Sequence, residues 1–285
     1  MKVKIVTDSG SDLPKSIIEK YDISVLPLCV YLDNKEYEDD VTIHSMDVMK
    51  HMEAGKHPHT GQVPYSRYYD VFSKFAKDNT SMIYISFSSG LSGTIGTAEL
   101  VVKDLKVIYP KLDITIVDSK CATLGQGLLV MEAAKMAEMN KTTSEISDWI
   151  ESNKSQVEHI YTIPDLKYLY RGGRLNKTQY TFGSALKINV LLGVEDGKII
   201  PKTKVRGNRK AQRKMLDYVV EKVKPECEII FINHGNDYDT AKKLEEQLRA
   251  ELEVEEIIIC NVGCAIGVHT GPGFVGMFFW GKEIS

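Results

Sequence analysis

The chain has 285 residues, 43% hydrophobic and 26% charged, with a formal net charge of −3. That length builds a sizeable core in one large or two ordinary domains, and the charge balance gives no basis for binding nucleic acid or an anionic membrane surface. Five irregularly spaced cysteines, with no Cys-x-x-Cys, read as scattered thiols in a reducing cytoplasm, not as a metal or disulfide framework.

In chain order, Lys2 to Thr7 reads as a first strand, and Asp8 follows too early for a secretory leader. The polar turn Asp8 to Asp12 ends that strand, and Pro14 opens a helix carrying Ile17, Ile18 and Tyr21. Ser24 to Leu32 is one further apolar run. Tyr68, Tyr69, Phe72, Phe75 and Ala76 recur at helical spacing. Met82 to Ser86 is a strand that runs into a Ser/Gly segment, and Ile95, Ala98, Val101, Val102 and Leu105 continue it as a helix. A strand at Ile114 to Val117, a helix through Met131 and Ala134, and a capping box at Thr142 and Glu145 complete the first half. Strand-loop-helix units imply a parallel sheet covered by helices, with ligands at the carboxyl ends of the strands. Asp8-Ser9 and Ser86 to Thr94 both fall at such ends.

The second half is patterned differently. Val157 to Ile163 is a strand, and Pro164 to Tyr170 a short helix closed by Gly172-Gly173. Ile188 to Val194 and Lys198 to Val205 flank Asp196-Gly197, a hairpin signal. A helix with Met215, Leu216, Val219 and Val223 precedes strand Glu228 to Ile232, helix Asp239 to Glu251, and strands Val254 to Asn261 and Gly276 to Trp280. The expected class is α/β, with an N-terminal parallel-sheet domain (1–156) and a C-terminal α+β domain (157–285).

Four segments stand out chemically: Thr60-Gly61-Gln62, Ser86 to Thr94, Arg171-Gly172-Gly173-Arg174, and His269-Thr270-Gly271-Pro272-Gly273. Glycine lets backbone approach a ligand, and backbone N–H groups can cradle an anion. Gly90-Leu91-Ser92-Gly93-Thr94 has Thr94 where a nucleophile elbow needs glycine, and no Gly-Lys-Ser/Thr follows as in a phosphate loop. What remains is a helix N-terminus ringed by hydroxyls: an anion site, or an ordinary Ser/Thr cap. Thr60 lies between Pro58 and Pro64 in an expected loop, and His51, His57 and His59 read as surface histidines. The arginine pair is equally an anion clamp or the end of a short helix. His269 is expected in a Gly-Pro-Gly loop, able to donate or to act as a base, with Asp8 or Asp118 as an orienting acid. No carboxylate pair, Cys-His pair or metal spacing accompanies these residues, so holding an anionic head group is the leading reading. A serine-dependent acyl hydrolase or transferase using Ser92 and His269 is the alternative. A sensor of a phosphorylated metabolite is a third reading.

Taken in order, the segments resemble the DegV family of bacterial fatty-acid-binding proteins over almost the whole chain. Thr7-Asp8-Ser9-Gly10-Ser11-Asp12-Leu13-Pro14 matches the family's opening. Thr60-Gly61-Gln62 stands at its Thr-Ser-Gln position, and Ser88 to Thr94 at its Ser-Ser-x-Leu-Ser-Gly-Thr signature. Val117-Asp118-Ser119, Leu169 to Arg174, Lys204 to Gly207 and His269 to Gly273 follow in register. The resemblance implies two α/β domains with a long-chain fatty acid bound between them. It implies a carboxylate held by Thr60 and Ser92, with Gly93 and His269 beside them. Arg174 and Arg206 would contact an acyl phosphate or a kinase. The implied role is a non-catalytic cytoplasmic carrier that presents the acid to a separate ATP-dependent fatty acid kinase for phospholipid synthesis. It needs no cofactor, metal or nucleic acid, and it leaves room for transient membrane contact. Gly61 replaces the family serine and removes one hydroxyl near the head group.

Overall fold

The computed structural model describes residues 3–183 and 188–283, so Lys2 lies outside the described residues. The first half forms β1 (Lys4–Asp8), α1 (Lys15–Lys20), β2 (Ser24–Leu26), β3 (Cys29–Leu32), β4 (Lys35–Glu38), α2 (Ser45–Glu53), β5 (His59–Gly61) and α3 (Tyr65–Lys77). It continues with β6 (Met82–Ser86), α4 (Thr94–Ile108), β7 (Ile114–Asp118), α5 (Leu124–Glu138) and α6 (Thr143–Asn153). Strands β2-β1-β6-β7 make an all-parallel sheet. Every residue of β6 is buried, as a strand covered on both faces requires. The run Ser24 to Leu32 is not one strand. Pro27 lies at its break and brings no N–H to a ladder; β3 leaves the parallel sheet and pairs antiparallel with β4 and β5. Thr60 therefore sits in a short strand, opposite Val30, and not in a loop.

The second half forms β8 (Val157–Thr162), α7 (Lys167–Arg171), α8 (Lys177–Gly183), β9 (Ile188–Glu195), β10 (Lys198–Arg206) and α9 (Asn208–Lys222). It ends with β11 (Ile229–His234), α10 (Tyr238–Glu251), β12 (Glu256–Asn261), α11 (Cys264–Thr270) and β13 (Val275–Trp280). The sheet order is β10-β9-β8-β13-β11-β12, antiparallel except between β11 and β12. Asp196 and Gly197 both have positive φ, 48° and 74°, as a type I′ hairpin turn demands. The Thr142 capping box forms: Thr142 Oγ1 accepts from Glu145 N at 3.2 Å, and Thr142 N donates to Glu145 Oε2 at 2.9 Å.

Helix α5 joins the two sheets. It touches β1 and β6 on one side and β8 and β13 on the other, and it is buried nearly all round. A Cβ on Gly125, in its first turn, would stand 2.1 Å from His159 Nε2, so only glycine admits that imidazole.

Carboxylates from the first half anchor the start of α11. Asp12 Oδ1 accepts from Gly263 N at 3.1 Å, while its Oδ2 accepts from Thr123 Oγ1 at 2.7 Å and Asn233 Nδ2 at 2.9 Å. Asp39 accepts from Cys264 N at 2.8 Å and from Ser9 Oγ at 2.7 Å. Burial pushes the Asp39 carboxyl up to about 6 and Asp12 well above its usual range. These bonds fix α11, and through it His269.

Candidate functional site

A cavity of about 350 Å³ lies between the two sheets, within the range of small-ligand sites. Phe87, Leu91, Leu169, Val194, Ile199 and Phe274 give it apolar walls, and Thr60, Ser92, Gly93, Arg174 and His269 also line it. Five of the six expected site residues are thus brought together. Arg206 is not: it is exposed at the end of β10 and lies outside the cavity wall.

His269 occupies the last turn of α11, not the glycine loop that follows it. Its Nε2 lies 2.8 Å from Thr60 Oγ1, across 209 residues of chain. Its Nδ1 is sealed and has no partner. A Cβ on Gly172 would come within 2.1 Å of that atom, so the glycine of the Arg-Gly-Gly-Arg segment makes room for the ring. Burial, then the Arg174 charge, lower the imidazole to about 3, so it is neutral near pH 7. A proton on Nδ1 would be an orphaned buried donor, which structures avoid more strictly than an orphaned acceptor. The proton therefore belongs on Nε2, where it donates to Thr60 Oγ1. The Thr60 hydroxyl hydrogen is then free to point into the cavity.

Ser92 lies just before α4, whose N-cap is Gly93. Its Oγ donates to Thr94 Oγ1 at 3.0 Å and accepts from Thr94 N at 3.3 Å. Gln62 donates to Thr97 Oγ1 at 2.8 Å, tying the Thr60 strand to the first turn of α4. Arg174 gives its Nε to the Leu91 carbonyl at 2.9 Å and its Nη1 to the Gly172 carbonyl at 2.5 Å. Among the described residues it has no carboxylate partner, and burial lowers its pKa. No Asp or Glu lines the cavity.

Ser92 and His269 bond to other partners and not to each other. Asp8 accepts from Tyr84 Oη and Phe87 N, both at 2.8 Å, and so braces the loop before Ser92. Asp118 accepts from Ser89 N and Lys120 N, each at 3.1 Å. Neither acid orients His269. Among the described residues no group of three or more His, Cys, Asp or Glu side chains could hold a metal ion.

Sequence reasoning missed His159 and Tyr161, which line the cavity from β8. Burial lowers His159 to about 4, and its Nε2 accepts from Ala122 N at 3.3 Å. A signal was present: both lie two residues apart in an apolar strand and so share one face.

These features define an α/β protein, with three sheets among the described residues, an apolar chamber and a cluster of donors without an acid. The chain belongs to the DegV family, whose model, described as "Uncharacterised protein, DegV family", matches residues 2–282. A DegV domain-containing protein of Clostridium perfringens is 39% identical over 285 residues, covering 98% of each chain. Among solved structures, a fatty-acid-binding DegV family protein from Thermus thermophilus aligns with a TM-score of 0.88 at 26% identity, over 99% of this chain and 100% of that one. A DegV lipid binding protein from Thermotoga maritima aligns at 0.85 and 30% identity, over 100% of both.

Proposed function

We propose that this chain binds a long-chain fatty acid and presents its carboxylate to a separate fatty acid kinase, which makes an acyl phosphate for phospholipid synthesis. The chain itself performs no catalysis in this reading, and it works in the cytoplasm. The observation that carries it is an apolar cavity whose polar side chains include donors and one unneutralised guanidinium but no acid. Residues 1–156 would supply the Thr60 and Ser92 hydroxyls and the Gly93 amide, and 157–285 would supply His269, Arg174 and much of the acyl wall. Each charge-assisted hydrogen bond contributes about 1.5–3 kcal/mol, and each buried methylene about 0.8 kcal/mol. The binding named for the Thermus and Thermotoga relatives supports the same ligand class.

In this reading Arg174 would contact a phosphate added to the carboxylate. Arg206, on the outer surface, would contact the kinase. Loading from a bilayer would need only transient contact; among the described residues no helix is long and apolar enough to cross a membrane.

Mass spectrometry of the denatured purified protein is expected to release a long-chain acid, and stripped protein to take up palmitate or oleate. No lipid and no uptake would overturn the binding role. Acyl phosphate should form only when loaded protein, kinase and ATP are combined; its formation from free acid without this chain would overturn the carrier role.

A further inference from the structure

Strand β8 places Tyr161 in the cavity wall, where the other side-chain hydroxyls are bonded. Thr60 is bonded to His269, Ser92 to Thr94, Thr123 to Asp12, and Thr270 to the Ile266 carbonyl. The Tyr161 ring packs against Phe274 at 5.9 Å between centroids, and the residue is only 6% exposed. Its hydroxyl has no hydrogen bond to any described residue. The residue is part of the cavity wall, where a bound tail would meet it.

A saturated hydrocarbon tail laid across this phenol would strand a buried hydroxyl, which folded proteins rarely tolerate. A second carboxylate on the ligand would be a buried charge, and among the described residues the only cation of the wall, Arg174, stands beside His269. A neutral oxygen satisfies both limits. Resting on the fatty-acid reading above, we propose that the cavity is built for an oxygenated acyl chain: a long-chain acid with a hydroxyl along its tail that hydrogen-bonds the Tyr161 phenol.

The test is competition against a fluorescent fatty acid, using stearate and a positional series of monohydroxystearates, on wild type and Tyr161→Phe. At least one isomer should match or surpass stearate on wild type. On Tyr161→Phe that isomer should lose about tenfold relative to stearate, the effect of one stranded buried hydroxyl, while stearate holds or improves. Equal change for all ligands, or no isomer competing as well as stearate, overturns the proposal but leaves fatty-acid binding intact. Failure of stearate itself to bind wild type removes the fatty-acid reading instead. A wild-type co-crystal with the preferred isomer gives an independent check: its tail oxygen should lie within hydrogen-bonding distance of Tyr161 Oη, and a tail oxygen elsewhere sinks the idea.

Discussion

Two polar clusters join the halves of this molecule, and they are complementary in chemistry. At the start of α11, Asp12 and Asp39 are saturated with donors from both halves: Thr123, Asn233 and Gly263 on one, Ser9 and Cys264 on the other. At the other end of the same helix, Thr60, Ser92 and Arg174 gather around His269 with no acid among them. The first cluster is complete and holds the fold. The second lacks the one group that the first has in excess, and the proposed ligand carboxylate would supply it.

Breaking the complete cluster should cost most. Asp12→Ala removes the acceptor of three hydrogen bonds, from Thr123, Asn233 and Gly263, so thermal or denaturant unfolding should show a loss of about 3 kcal/mol or more. An unchanged midpoint would show that the junction is not structural.

Acid should expose the next largest effect. His159 sits near 4 when folded, against 6.5 for the free group. The unfolded chain therefore takes up a proton first, and this contribution is complete above pH 6.5 and is lost as pH falls toward 4. His159→Leu should shrink the stability lost across that window by about 3 kcal/mol. Parallel acid titrations of the two proteins check it.

At the donor cluster the expected changes are in affinity. Gly172→Ala drives a methyl against His269 Nδ1, which should turn the ring from Thr60 and weaken fatty-acid binding tenfold or more, with little change in melting. Ser92→Ala removes one charge-assisted hydrogen bond and should weaken binding by about tenfold. Arg206→Ala should leave affinity for the acid unchanged while slowing acyl-phosphate formation by the kinase. Loss of acid affinity in that variant would return Arg206 to the binding site.

Much of this architecture is legible locally. Helical spacing, the Thr142 capping box and the Asp196-Gly197 turn each act within a few residues, and each forms as the sequence predicts. Long-range pairing is less legible. Nothing near Thr60 shows that it will pair with β3. Helix α11 contains Gly267 and two β-branched residues before His269 and Thr270, so helical propensity hides it within an apolar run. Arg206 is a different case: order along the chain groups it with the other motifs, while β10 leaves it exposed and outside the cavity wall. Tyr161 escaped notice because an aromatic residue in a strand is ordinarily packing.

The position of β13 has a consequence for biosynthesis. It follows every other described strand along the chain, yet it lies between β8 and β11 in the sheet. The parallel sheet can assemble while translation continues, but the six-stranded sheet stays split until β13 is inserted. His269 and Phe274 emerge just before that strand. Thus the chamber is complete only once β13 has been inserted between β8 and β11.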